Sequence, residues 1–234
     1  MRTIFVAGTG TGVGKTVVTG LLLRRLRAQG LAVAPMKPVQ TGAPRTEAGW
    51  LAPDLEVLLE AGGLSPTPAQ RAAMAPYCFE HASSPHLAAR LEGRRIDIKV
   101  ILESCRTLAS DLGRDGVLLE GAGGLLVPIH QTTTMLDLIQ VLEARVVLVS
   151  ANVLGTINHT LLSLRALAAA SVPVAGVVMN AIDSNEDPEI LADNPRTIAA
   201  LGGVPVLGEI PRLSSLFRWQ ETDAIPLDIS AILP

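Results

Sequence analysis

Short runs of Val, Ile and Leu alternate along the chain with longer stretches whose apolar positions recur at helical spacing. The pattern predicts strands at Thr3–Gly8, Ala32–Pro35, Gly116–Glu120, Val146–Ser150, Val174–Asn180 and Val204–Gly208. Between them it predicts helices at Lys15–Gln29, Asp54–Ala61, Ser84–Leu91, Ile98–Leu112, Met135–Leu142, Thr156–Ala170 and Asn194–Leu201. In runs such as Val146-Val147-Leu148-Val149 consecutive positions are apolar, which marks a strand covered on both faces. Strands of that kind interleaved with helices give a doubly wound α/β fold, a mostly parallel sheet with helices on both faces. Pro38 to Pro53 and Ser65 to Pro76 carry three prolines each and little periodicity, so both read as loops.

Composition narrows this picture. At 234 residues, 48% apolar, the chain holds enough material for one sizeable core, and a single domain over 1–234 accounts for its length. The formal charge of −3, without a Lys/Arg cluster, leaves no electrostatic footprint for nucleic acid. Arg24, Arg25 and Arg27 stand at the spacing of a solvated helix face. The first strand begins too early for a secretion leader, and every long apolar stretch is interrupted by Gly, Asn, Ser or charge. The expectation is a cytoplasmic protein that does not enter membranes. Cys78 and Cys105 lie far apart without metal-type spacing and are expected as buried thiols in a reducing compartment.

In a doubly wound sheet, ligands bind beyond the carboxyl ends of the strands, so chemistry is sought there. After the first strand comes Gly8-Thr9-Gly10-Thr11-Gly12-Val13-Gly14-Lys15-Thr16, a P-loop in strand–loop–helix context. Its glycines let backbone N–H groups converge on an anion, and the following helix adds the positive end of its dipole. Lys15 is placed to reach the β- and γ-phosphates and Thr16 to hold Mg²⁺. The spacing departs from the common form, because Thr9 stands where the first glycine belongs and Gly8 comes one residue early. After the second strand, Lys37 offers a second ammonium, although a strand-end lysine is also a common solvated cap. Asp54 starts a helix, where, taken alone, it fits an N-cap. Glu120 closes an apolar strand before Gly121-Ala122-Gly123-Gly124, a setting that suits Mg²⁺ held between protein and phosphates.

Taken together, these residues resemble the dethiobiotin synthetase family from Thr3 to about Leu213. The resemblance runs through the P-loop, whose shifted glycine is a family habit, and Lys37-Pro38-Val39-Gln40-Thr41-Gly42. It continues through Ser84-Pro85-His86, Glu120-Gly121-Ala122-Gly123-Gly124, Leu154-Gly155-Thr156-Ile157-Asn158-His159 and Leu207-Gly208-Glu209-Ile210-Pro211. It implies a P-loop NTPase-type domain that uses ATP, Mg²⁺ and CO₂ on 7,8-diaminopelargonic acid, as a homodimer with the site near the subunit interface. By the same resemblance Lys15 and Lys37 are catalytic, and Thr16, Asp54 and Glu120 arrange Mg²⁺. Nucleotide contacts are implied for Gly12, Val13, Gly14, Lys15, Thr16, Val17, Asp54, Glu120, Gly121, Ala122, Gly123, Asn180, Pro211, Arg212 and Leu213. Substrate contacts are implied for Thr11, Thr41, Leu154, Gly155, Thr156 and Asn158, the last four acting from the partner subunit on the distant carboxylate. Gly12 stands where some members carry Glu, and Arg218 falls about where a nucleotide-contacting Glu can occur. His86 and His159 are expected as structural histidines with satisfied hydrogen bonds.

Two other functions share the loop type. Partition-type switch ATPases carry an additional lysine five residues before the invariant one, where this chain has Gly10. Amidoligases need an ammonia source, usually a fused glutaminase domain, for which 234 residues leave no room.

Overall fold

The computed structural model describes residues 2–47, 49–113, 115–183, 185–214 and 218–233. Its strands are β1 Thr3–Gly8, β2 Val33–Met36, β3 Val39–Thr41, β4 Arg45–Thr46, β5 Gly49–Trp50 and β6 Tyr77–Phe79, followed by β7 Gly116–Gly124, β8 Pro128–His130, β9 Thr133–Thr134, β10 Arg145–Ala151, β11 Val174–Asn180 and β12 Val206–Ile210. The helices are α1 Lys15–Ala28, α2 Pro53–Gly62, α3 Pro68–Met74, α4 Pro85–Leu91, α5 Ile98–Asp111, α6 Met135–Val141, α7 Thr156–Ala169 and α8 Pro188–Gly202.

Six strands form an all-parallel sheet in the order β12-β11-β10-β1-β7-β2. Alternate residues of the buried strands serve opposite faces, as the two-residue period of a strand requires. Phe5 and Ala7 of β1 join Leu119, Leu148 and Met179 in one core with α5, α6 and α7 side chains such as Cys105, Ile139 and Leu167. Ile4 and Val6 join Leu118, Val149 and Val178 in a second core against Val18, Leu22 and Leu26 of α1. The doubly wound architecture expected from consecutive apolar positions is therefore present. The connection from β1 runs to β2 on one side, whereas that from its neighbour β10 runs to β11 on the other, so connections from these adjacent strands diverge. The carboxyl end of β1 is thus a topological switch point, where a crevice opens.

Several boundaries differ from the sequence reading. The stretch expected as a loop at 38–53 contains β3, which pairs in parallel with β6, and the small β4–β5 hairpin. The loop expected at 65–76 holds α3. Its Thr67 and Gln70 form a reciprocal capping box around Pro68, so this proline starts a helix and does not mark a break. Helix α8 starts at Pro188, capped by Asp187, and runs through Pro195 with the loss of one intrahelical hydrogen bond. Strand β12 begins two residues later than expected, after the left-handed Gly203 and Pro205.

Arg24 and Arg25 are not a solvated face. Arg24 pairs with Asp223 at 2.8 Å, and Arg25 donates to the carbonyls of Asp223 and Ile225 at 2.6 and 2.7 Å. Together with Trp219, whose ring lies so close to Gly20 that a Cβ there would come within 2.3 Å, they fix the C-terminal segment across α1. Cys78 and Cys105 are buried free thiols, and burial pushes both up to about 11. No helix among the described residues is long and apolar enough to cross a membrane.

Candidate active site

From the end of β1 the chain turns through the glycine loop into α1. Gly14 sits at φ 92°, and a Cβ there would stand 2.0 Å from Asn180 Nδ2, so only glycine fits. Asn180, at the end of β11, donates that same amide to the Val13 carbonyl at 3.0 Å and pins the last turn of the loop. Lys15 Nζ donates to the Gly10 carbonyl at 2.8 Å, closing the loop on itself. Burial, and then the neighbouring Lys37 charge, pull the Lys15 ammonium down to about 8.

Lys37 leaves the carboxyl end of β2 and reaches two carboxylates at once. Its Nζ lies 2.7 Å from Glu120 Oε1 and 2.7 Å from Asp54 Oδ2, with the Gly121 carbonyl at 3.4 Å. Burial alone would lower this lysine, but the Glu120 and Asp54 charges outweigh it and hold Lys37 above its ordinary value. The side chain is thus no solvated cap; the residue is only 4% exposed. Thr16 Oγ1 donates to Glu120 Oε1 at 2.9 Å, which ties the start of α1 to β7.

These residues fit a hard divalent cation. Glu120 is 1% exposed, and its Oε2 is buried without a hydrogen-bond partner, an oxygen whose desolvation is uncompensated by the protein alone. With the Thr16 hydroxyl and Asp54 it supplies the oxygen donors that Mg²⁺ prefers. Among the described residues no group of three or more His, Cys, Asp or Glu could hold a metal unaided.

Loop and ion cluster face a cleft of about 800 Å³. Of the residues singled out from sequence, Thr11, Gly12, Gly14, Lys15, Thr16, Val17, Lys37, Thr41, Asp54, Glu120, Ala122 and Gly123 line it. Val13 and Gly121 lie directly behind, through the Asn180 and Lys37 contacts above. The cleft also takes Val39, Gln40, Val127 and the segment Ala82-Ser83-Ser84-Pro85, none of which the sequence reading gave a role. For Gln40 the sequence carried no signal, because α2 begins at Ala52-Pro53 without a capping side chain and which distant residue reaches its first N–H depends on packing.

Other predicted residues stand apart from the cleft. Pro211 and Arg212 are exposed beyond β12, and Arg212 donates to the Ile182 carbonyl at 2.6 Å. Leu213 packs at the edge of the second core. Arg218 is paired with Glu221 at 3.0 Å. Leu154, Gly155 and Asn158 line a separate hollow of about 650 Å³ between α7 and α8. Thr156 is buried, its hydroxyl bonded to that of Ser150 at 2.6 Å and its N–H to the Val153 carbonyl. The two histidines do not match expectation: His86 Nδ1 is buried without a partner, and His159 is exposed on α7.

The AAA domain family profile matches residues 2–219. Similar curated proteins include the ATP-dependent dethiobiotin synthetase BioD of Anaeromyxobacter dehalogenans strain 2CP-C, 42% identical over 81% of each chain. BioD of Anaeromyxobacter sp. strain Fw109-5 is 38% identical over 94% of each chain. BioD 2 of Haemophilus influenzae is 42% identical over 76% of this chain and 91% of its own. Among solved structures, the signal recognition particle receptor FtsY from Elizabethkingia anophelis covers 94% of this chain with TM-score 0.51 at 19% identity, and its complex with GDP covers 89% with TM-score 0.54 at 18% identity. The chain spans 63% and 56% of those two, which share its fold. With a P-loop, a buried lysine–carboxylate cluster beside it, and this identity over most of its length, the chain belongs to the family of ATP-dependent dethiobiotin synthetases.

Proposed function

We propose that the protein forms the cyclic urea of dethiobiotin from 7,8-diaminopelargonic acid, CO₂ and ATP, releasing ADP and phosphate. The observation that carries this reading is the second buried ammonium: Lys37 stands in the same cleft as Lys15, with the Thr41 side of the cleft next to it. A P-loop alone serves many activities, whereas two lysines and an adjoining pocket give the γ-phosphate a recipient.

One amine of the substrate adds to CO₂ and loses a proton, giving a carbamate. A carbamate oxygen attacks the γ-phosphorus, ADP leaves, and a carbamic–phosphoric anhydride results. The second amine then attacks the carbonyl carbon and loses a proton, and phosphate departs as the ring closes. Phosphoryl transfer asks the protein for positioning and charge neutralisation more than for covalent help. Lys15 and Lys37, both buried, supply fixed positive charge on either side of the transferring group, and that burial strengthens their effect. Thr16, Asp54 and Glu120 would hold Mg²⁺, which neutralises phosphate charge when bound. Backbone groups of Gly12 to Val17 and of Gly121 to Gly123 cradle phosphates, and Asn180 with Pro211, Arg212 and Leu213 serve the base and ribose. Thr11 and Thr41 face the diamine.

The α7 turn, with Leu154, Gly155, Thr156 and Asn158, shares no lining residue with the phosphate cleft of the same chain. Exposed Leu154, at 76%, crowns that turn. This separation favours a homodimer in which the turn of one protomer meets the substrate carboxylate in the cleft of the other. Phosphate release tests the chemistry: the expected result is turnover that stops when either bicarbonate or the diamine is omitted. Equal turnover without the diamine would sink the synthetase reading.

A further inference from the structure

Helix α2 carries Asp54 on its first turn, yet its own sequence caps it poorly. The N-cap residue Ala52 has no side chain able to accept an N–H, and Pro53 after it has none to offer. The first available donor is the Asp54 N–H, and a residue outside the helix accepts it: the bond to Gln40 Oε1 measures 3.2 Å. The other end of the same amide is held within its own strand β3, where Gln40 Nε2 donates to the carbonyl of the adjacent Thr41 at 3.0 Å. Gln40 is 5% exposed and lines the cleft beside Lys37, Thr41 and Asp54.

We propose that Gln40 is a positioning residue for Asp54: it caps α2 in place of Ala52 and thereby sets the carboxylate that meets Lys37 at 2.7 Å. One planar amide links β3 to α2: its oxygen accepts from the Asp54 N–H, and its NH₂ is held in place by the carbonyl of the adjacent Thr41. Methionine would keep the volume and lose both bonds. The inference rests on Asp54 serving the metal, as proposed above, and is independent of which amine substrate is used.

The test is a double-mutant cycle read by Mn²⁺ binding to the ADP-loaded protein, followed by the electron paramagnetic resonance of free Mn²⁺. Gln40→Met is expected to weaken Mn²⁺ by about five- to tenfold, the size of one lost hydrogen bond, while ADP affinity without metal stays unchanged. In an Asp54→Ala background the same substitution is expected to add nothing, because its effect runs through the missing carboxylate. Equal losses in both backgrounds, or unchanged Mn²⁺ affinity in Gln40→Met, would overturn the brace. Hydrogen exchange in the unmodified protein gives a second reading that no variant can spoil. The Asp54 amide should be protected although first-turn amides of a helix normally lack partners. Exchange at the rate of an unstructured amide would also overturn it. Failure of diamine-dependent turnover with the cycle intact would count against the dethiobiotin reading alone.

Discussion

Replacing Lys37 by Met removes the ammonium that touches both Asp54 and Glu120 while keeping most of the side chain's volume. Asp54 retains access to water, its side chain being 32% exposed, so the consequence concentrates on Glu120, 1% exposed. That carboxylate keeps the Thr16 hydroxyl on Oε1 and has no partner on Oε2. Removing one member of a buried ion pair costs about 3–5 kcal/mol, because the other charge stays desolvated. Lys37 is held above its ordinary lysine value in the folded chain. Its contribution is therefore complete at neutral pH and is lost only as pH rises through that raised value, so unfolding by denaturant at pH 7 reads the whole effect. The same substitution should lower kcat by roughly 100-fold or more, as when a preorganised donor is taken from a transition state, with a smaller change in the KM for ATP. A variant within about 1 kcal/mol of the parent in stability would refute the buried-pair reasoning. Near-normal kcat would refute a catalytic role for the ammonium.

Two further outcomes follow from the same geometry. Lys15 is pulled to about 8, whereas a bound triphosphate restores the charged form, so nucleotide affinity should fall as pH rises above 8, by up to about tenfold per pH unit. Calorimetry in buffers of different ionisation enthalpy should show proton uptake on binding near pH 8.5; a flat affinity from pH 7 to 9.5 would contradict the shift. In the C-terminal segment, Trp219→Ala should cost about 3–5 kcal/mol through the gap left over Gly20, while Arg24→Ala, which breaks a half-exposed pair, should cost about 1 kcal/mol or less. Urea unfolding of the two variants checks the ranking, and equal losses would contradict it.

The sheet was readable from sequence because β1, β7, β10 and β11 are short, bounded runs apolar at consecutive positions, as strands covered on both faces are. Prolines misled where they start an element. Pro68 follows the capping Thr67 and Pro188 follows the capping Asp187, so each opens a helix that proline content alone argues against. At the site, Lys15 and Thr16 stand at the start of α1 and Lys37 just after β2, where the fold puts ligands, but Lys37 and Asp54 alone also fitted caps, and the family resemblance gave them their roles. What local pattern could not carry were contacts between distant positions. Gln40 bonds the N–H of a helix residue fourteen positions further on, and Arg24 and Arg25 of α1 hold a segment about 200 residues away. The orphaned Nδ1 of His86 belongs to the same class, since burial of one ring atom depends on packing and not on spacing.

The most direct test follows the carbon. With isotopically labelled bicarbonate, the diamine and Mg²⁺–ATP, the protein should place the label in a single new carbonyl carbon bonded to both substrate nitrogens, releasing one phosphate for each ring closed. Phosphate release without incorporation of the label would contradict the carbamate as the acceptor of the γ-phosphoryl group.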